Sequence, residues 1–233
     1  MTINTEPAVN VDMVPAVKQA SCESGQFQHD PIDSVITMNP ARPALSALVI
    51  CQLLRSQEPV NISTHTHSNV TMKAPDLTAT FGGNGLNLAA PVECGVRITL
   101  VWKNVERATL MASPQARRTV HGESNICRYL ARHLPMNHDR HDAVTATEVD
   151  QWIDTAAALT AGSKKEIAAV VRSLNARLGA NAWLAGGDMS VADVVMWGSL
   201  YRAGQVADAP NNVKKWIKSC EVNPAFASVK CLA

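Results

Sequence analysis

The chain has 233 residues, of which 46% are hydrophobic and 18% charged, and its formal net charge is +1 at neutral pH. This length and hydrophobicity predict a globular protein with a buried core and argue against a wholly disordered one. The sequence contains no dense run of Lys and Arg, so we expect no direct binding of nucleic acid. The longest apolar runs fall short of the ~20 residues of a membrane-spanning helix, so we expect no membrane span and no signal peptide.

The first predicted elements follow a polar start. Residues 1–34 contain no Leu and mix Pro, Ser, Asn and Gln, a composition typical of a disordered leader. The stretch VITM from Val35 predicts a strand, and Leu45, Leu48 and Leu53 recur at helical spacing after two prolines. The chain thus predicts a strand that leads into a first helix.

Three further strands and a second helix are predicted before residue 140. The strand sequences are VNISTHTHSNV, GVRITLVWKNV and RRTV, and all are rich in β-branched residues. Ile126, Leu130 and Leu134 then mark an amphipathic helix. The predicted order over residues 35–140 is therefore β-α-β-β-β-α.

Residues 143–233 read as helical throughout. Apolar residues recur with helical period in three segments, and Ser163 with Glu166 and Ser190 with Asp193 each have the spacing of a capping box. The helix that Ser190 opens, VADVVMW, is apolar around nearly its whole circumference. It is predicted to be the central helix, and Ser190 and Asp193 are assigned to folding rather than to chemistry.

Cysteines and histidines give no metal site. The six cysteines are scattered without a CxxC pair, and Cys127 and Cys220 fall on predicted helices, so we expect reduced core cysteines in a cytosolic protein. His65 and His67 share one face of a predicted strand, but two ligands are too few for a zinc site. We expect no metal and no cofactor.

The central segment WLAGGDMSVADVVMW, set in an all-helical half that follows a β/α half, resembles the glutathione-transferase superfamily. Within it, THTHSNV, ITLVWKNV, GESNICRYL, VDQWIDTA and NNVKKWIKSCE are similar to the family of aminoacyl-tRNA synthetase complex-interacting multifunctional protein 2. The resemblance implies a glutathione-transferase fold, with a thioredoxin-like domain at 35–140 and an all-α C-terminal domain at 143–233.

The same resemblance implies a non-catalytic scaffold of the cytosolic multi-tRNA-synthetase complex, with possible presence in the nucleus and a link to apoptosis. The implied partners are glutamyl-prolyl-tRNA and aspartyl-tRNA synthetases and other scaffold proteins of the complex. Lysyl-tRNA synthetase is left in doubt, because the family's N-terminal peptide and leucine zipper have no counterpart before Leu45.

Glu123 and Ser124 open the predicted helix at the position where glutathione transferases hold the γ-glutamyl group. They either bind a ligand carboxylate there or only cap the helix. The alternative function is therefore a glutathione transferase or a glutathione-binding protein. Asn39 occupies the place near the end of the first strand where such an enzyme carries Tyr, Ser or Cys, so we expect no enzyme activity.

Two partner interfaces are implied by the resemblance. Arg128, Tyr129 and Arg132 lie on the helix that helps to form the superfamily's dimer interface, although Tyr129 in the core with solvated arginines explains the residues equally well. Arg202, with Trp216, is assigned to a second interface. An Arg at a helix C-terminus also interacts favourably with the helix dipole without any partner.

Overall fold

The structure is a computed structural model that describes residues 33–57, 59–81, 96–113, 118–136 and 142–233. The leader predicted for residues 1–34 lies outside these residues, except for its last two, which belong to the first strand. Cys22 and Cys94 also lie outside them. Among the described cysteines, Cys51, Cys127 and Cys220 are buried free thiols and Cys231 is exposed.

A five-stranded mixed sheet forms the first half. Its strands are β1 (Asp33–Met38), β2 (Val60–Thr66), β3 (Val96–Trp102), β4 (Thr109–Ser113) and β5 (Arg118–His121), in the spatial order β2-β3-β1-β4-β5. β1 and β2 run parallel to β3, and β4 runs antiparallel to β1 and to β5. Three helices accompany the sheet, α1 (Leu45–Arg55), α2 (Thr78–Phe81) and α3 (Glu123–Ala131).

Alternate side chains along the central strands are buried in the core. In β1, Ile36 and Met38 are fully buried, and in β3, Ile98 and Leu100 are fully buried, because residues two apart point to the same face. α1 packs against α3 and against the helical half. Nine of its eleven residues are buried, because α1 is packed on several sides rather than along a single apolar stripe.

Five helices form the second half: α4 (Ala143–Ala161), α5 (Lys164–Ala180), α6 (Val191–Arg202), α7 (Asn211–Glu221) and α8 (Pro224–Lys230). Residues 191–198 of α6 are all buried, as its apolar circumference predicts. α6 ends at Arg202, and Gly204 follows with φ of +65°, a left-handed conformation that glycine adopts without strain. None of the helices in the described ranges is both long and apolar enough to span a membrane.

The two halves meet where α1 crosses α6. A Cβ added to Gly198 in α6 would lie 2.2 Å from the Oγ of Ser46 and 3.0 Å from its backbone nitrogen. Any larger residue at 198 would therefore push the helices apart. The glycine is required by this close approach, since its φ angle lies in the ordinary helical region.

Two short elements are absent from the predicted order. β4 and α2 were not predicted, because a five-residue strand and a four-residue helix are too short to show a period. Gly179 lies one residue before the end of α5 at Ala180. A Cβ at Gly179 would lie 3.1 Å from the Nδ2 of Asn212, so this glycine makes room for α7.

Candidate functional site

Asn39 directly follows β1, at the position where catalysis by a glutathione transferase would need a hydroxyl or a thiol. Both ends of its amide are already bonded within the chain. Nδ2 donates to the carbonyl of Val105 at 3.0 Å, and Oδ1 accepts from the backbone N–H of Ala41 at 2.9 Å. The Oδ1 contact holds the turn between β1 and α1 and the Nδ2 contact ties this turn to Val105, and the side chain offers neither a hydroxyl nor a thiol.

Glu123, the first residue of α3, points toward the N-terminus of α1. One carboxylate oxygen, Oε1, accepts from the backbone N–H of Ser46 at 2.7 Å, and α1 has no side-chain cap of its own. The other oxygen, Oε2, pairs with the guanidinium of Arg202. Glu123 therefore supplies, from a distant part of the chain, the anion that a helix N-terminus attracts.

Arg202, the last residue of α6, completes this contact. Its Nη2 donates to Glu123 and also to the carbonyl of Pro43 at 3.0 Å. The Glu123 side chain is 12% exposed and that of Arg202 is 30% exposed, so the pair is largely removed from water. We call Glu123, Arg202 and the Ser46 N–H the interdomain latch, because it ties α1, α3 and α6 together.

Ser124 lies beside the latch in the first turn of α3 and is half-buried. The sequence left two roles open for Glu123 and Ser124, ligand binding or capping. The structure places the carboxylate of Glu123 on the N-terminus of α1 rather than on its own helix. A ligand carboxylate at the N-terminus of α1 would have to displace Glu123. A ligand carboxylate at the first turn of α3 would contact only Ser124 and backbone N–H groups.

Arg128, on α3, bridges to the helical half. Its Nε and Nη2 each lie 2.8 Å from a carboxylate oxygen of α4, on Asp150 and Asp154 respectively. Nη1 also donates to Asn125 at 3.1 Å. The guanidinium is therefore neutralised within the chain, and it is less available to a partner than the sequence suggested.

Tyr129 and Arg132 complete the α3 face, which we define as Arg128, Tyr129 and Arg132. Tyr129 is half-buried against the core, and its ring meets that of His133 edge-on at 5.9 Å between centroids. Arg132 follows the last residue of α3 and is exposed. The α3 face thus presents the edge of Tyr129, the exposed Arg132, and Arg128 held by two aspartates of α4.

Trp216 is not a surface residue, and its assignment to a partner interface is wrong. It is 3% exposed, because its side chain belongs to the buried stripe of α7. Its indole Nε1 donates to Oδ1 of Asp193 at 2.9 Å. Of the two residues assigned to the second interface, only Arg202 reaches solvent.

Asp193 is the centre of a buried polar network. Ser190 donates to its Oδ2 through both the backbone N–H and the hydroxyl at 2.9 Å, forming the capping box of α6. Oδ1 accepts from Trp216 and from the backbone N–H of Leu184 at 3.2 Å. Burial raises the pKa of Asp193, although all four donors oppose this shift by favouring the ionised form. The network fixes the start of α6 and the position of α7.

His65 and His67 are both exposed, and Nδ1 of His67 accepts from the backbone N–H of Asn69 at 3.1 Å. That bond holds the turn after β2.

The sequence did not reveal the partners of these arginines. Asp150 and Asp154 lie four apart on α4, which places them on one helix face. That spacing is the sequence signal by which a paired cation could have been predicted. Nothing comparable marks Pro43 or Ser46 as partners of the latch, because those contacts use backbone atoms. Backbone groups carry no sequence signature of their own.

Two domain models match the chain, a thioredoxin-like domain over residues 29–121 and the C-terminal domain of glutathione S-transferases over residues 131–224. The structure resembles apo URE2P6 from Phanerochaete chrysosporium, with a TM-score of 0.56 and 17% identity over 86% of this chain and 98% of that one. These matches and the architecture define a protein of the glutathione-transferase fold, with a thioredoxin-like part followed by an all-helical part.

Sequence comparison identifies a more specific relative within this class of fold. Over 198 residues, which are 84% of this chain, it is 41% identical to mouse (Mus musculus) aminoacyl tRNA synthase complex-interacting multifunctional protein 2. Over this region the chain is a homologue of that protein, and it spans 61% of the relative's length. A chain from a study of yeast aminoacyl-tRNA synthetase complex formation also shares the fold, with a TM-score of 0.52 and 17% identity over 85% of this chain and 92% of that one.

Proposed function

We propose that this chain is a non-catalytic scaffold that joins aminoacyl-tRNA synthetases in a multi-synthetase complex. The observation that carries the proposal is the 41% identity to a protein whose name describes interaction with that complex. The matched region covers 84% of this chain, so it includes both halves of the fold.

The geometry near α1 supports the absence of transferase chemistry. Catalysis requires a hydroxyl or a thiol that stabilises the glutathione thiolate, and Asn39 stands there with both amide ends bonded. Glu123 occupies the N-terminus of α1, so at the start of α3 a ligand carboxylate would have only Ser124 and backbone N–H groups to bind. These features support a fold that binds partners through its surfaces.

The proposed surfaces are the α3 face and the solvent side of Arg202. On the α3 face, Tyr129 and Arg132 offer the rigid aromatic area and forked donors that are enriched at interfaces. At Arg202, a partner meets a guanidinium already held by Glu123 and Pro43, so its orientation is fixed before binding. Pre-organisation of this kind lowers the entropy lost on association.

We assign glutamyl-prolyl-tRNA and aspartyl-tRNA synthetases as the partners, together with other scaffold proteins of the complex, and the cytosol as the main location, with a fraction in the nucleus. Two surfaces on different helices allow one molecule to hold two partners. Each stable contact is expected to bury on the order of 1,600 Å² in total.

The proposal is tested by measuring binding and catalysis on the same purified chain. Arg132→Glu is expected to weaken one synthetase interaction at least tenfold in biolayer interferometry and to leave the melting temperature within a few degrees. Lys73→Glu is the matched control, because Lys73 is exposed after β2, at the sheet edge opposite to β5, the strand that leads into α3. Equal binding by both variants would remove the α3 face from the proposal.

The catalytic alternative is examined with glutathione and a generic electrophile. The native chain is expected to give only the uncatalysed conjugation rate, and Ser124→Ala is expected to leave that rate unchanged. Conjugation well above background that Ser124→Ala abolishes would establish a transferase and overturn the non-catalytic assignment.

A further inference from the structure

The outer surface of α5 and α7 carries a cluster of cations that the function above does not use. All are exposed, and their side chains have no hydrogen bond or ion pair within the described ranges. We call this cluster the basic face; it consists of Lys164, Lys165, Arg172, Lys214, Lys215 and Lys218.

The two helices lie side by side. The Nδ2 of Asn212, at the start of α7, donates to the carbonyl of Asn175 in the second half of α5 at 3.2 Å. Asn212 also lies against Gly179, one turn further along α5. The C-terminal part of α5 therefore lies beside the N-terminal part of α7. Arg172 lies one turn before Asn175, close to this contact, whereas Lys164 and Lys165 extend the charge toward the start of α5, about 15 Å along its axis.

Helical periodicity directs these cations outward. α5 buries Val170 and Leu174, and Arg172 lies between them in sequence, about 200° around the helix from Val170. α7 buries Val213, Trp216, Ile217 and Cys220. Lys215 and Lys218 lie opposite this stripe, about 4.5 Å apart along the axis. Because the helices are neighbours, their outward sides form one surface.

The carboxylates on these helices do not neutralise the basic face. Glu166 accepts from the backbone N–H and the hydroxyl of Ser163, in the capping box of α5. Glu221, at the end of α7, is held by Lys230 and Tyr201. Glu221 is paired with Lys230, whereas Glu166 keeps its negative charge beside Lys164 and Lys165, so the six cations of the basic face outnumber the one unpaired acid on these helices.

The composition of this face distinguishes between kinds of anionic partner. Protein interfaces are depleted in Lys and enriched in aromatic residues, and the aromatic residue of α7, Trp216, is buried. Membrane-binding helices combine basic residues with exposed Trp, Phe or Leu, which the described part of this face lacks. Lysines act as point charges, which suits phosphate groups that need no fixed geometry.

We propose that the basic face binds the phosphate backbone of a nucleic acid without reading its bases. This departs from the expectation drawn from the sequence, where the cations seemed too dispersed. They come from two segments about fifty residues apart in the chain, and only the packing of α5 on α7 brings them together. Sequence-independent binding is expected because five of the six cations are lysines, which act as point charges, and α5 and α7 expose no aromatic side chain to stack on bases.

Fluorescence anisotropy tests the proposal, with the full chain titrated into a labelled 20-nucleotide RNA and, separately, a duplex DNA of the same length. The logarithm of the binding constant should fall linearly with the logarithm of salt concentration, by about 0.7 to 0.9 per phosphate contact. Lys215→Glu combined with Lys218→Glu should weaken binding by roughly tenfold to a hundredfold at ~100 mM salt, and reduce the slope by about 1.4 to 1.8.

The matched control is Lys73→Glu combined with Arg107→Glu, which makes the same charge change at exposed residues of the thioredoxin-like half. The control should bind as the native chain does once the loss of net charge is screened at ~150 mM salt. Equal weakening by both double variants, or no binding at ~50 mM salt, would overturn the proposal. Binding of poly-glutamate as tight as that of RNA would also overturn it and indicate an acidic protein partner.

Discussion

Replacing Glu123 by alanine should destabilise the fold more than any other single change in the first turn of α3. The variant removes the anion at the N-terminus of α1 and leaves Arg202 with only the Pro43 carbonyl. Both contacts connect segments far apart in the chain. Their loss therefore weakens the junction between the two halves rather than one helix.

The expected magnitude follows from the two contacts. A side-chain oxygen at a helix N-terminus contributes about 1 kcal/mol. A hydrogen-bonded ion pair that is largely shielded from water contributes on the order of 1–2 kcal/mol, between exposed pairs and charged hydrogen bonds. We expect Glu123→Ala to lower the free energy of unfolding by about 2–3 kcal/mol, which corresponds to a melting temperature roughly 4–12 °C lower. Glu123→Gln keeps an acceptor for Ser46, so about half of that loss is expected.

Urea unfolding followed by tryptophan fluorescence measures these differences. Ser124→Ala is the matched control, because Ser124 is the next residue of the same turn and takes no part in the latch; a change within ~0.5 kcal/mol is expected. A Glu123→Ala variant as stable as Ser124→Ala would refute the latch. Destabilisation by Glu123→Gln as large as that by Glu123→Ala would show that only the charge matters.

Three further predictions concern contacts made by the helical half. Asp193→Asn should cost about 1–3 kcal/mol, because an amide NH₂ must face donors from Ser190 or Trp216, and guanidinium unfolding would show it. Gly198→Ala should cost about 1–3 kcal/mol by overpacking, and Ser46→Ala should partly restore the melting temperature; no rescue would contradict the contact. Burial raises the pKa of Glu221, but hydrogen bonds from Lys230 and Tyr201 outweigh this and lower it. Its stabilising contribution is thus present above the unfolded pKa and lost as pH falls, so Glu221→Gln should destabilise less at pH 3 than at pH 7.

The helical half was predictable because its signals are local. Caps such as Ser163 with Glu166 lie within one turn, and the apolar circumference of α6 places it in the centre whatever it packs against. The thioredoxin-like half was less accessible. β4 has five residues and lies between two antiparallel neighbours, so its identity depends on strands far away in sequence.

The candidate site shows the same limit. The sequence marks Glu123, Arg128 and Arg202 as charged residues near helix ends, but it does not say which of them pair within the chain. Trp216 was assigned with Arg202 to the second interface, yet Asp193 provides its indole with a buried acceptor. Long-range polar contacts decide whether such side chains face a partner or the core.

The proposal of a scaffold without catalytic activity is tested most directly by native mass spectrometry of the purified chain mixed with glutamyl-prolyl-tRNA and aspartyl-tRNA synthetases. A scaffold with two independent surfaces predicts a ternary assembly that contains both synthetases, and Arg132→Glu should reduce it to an assembly with one. Mutually exclusive binding, or no assembly with either synthetase, would contradict the account.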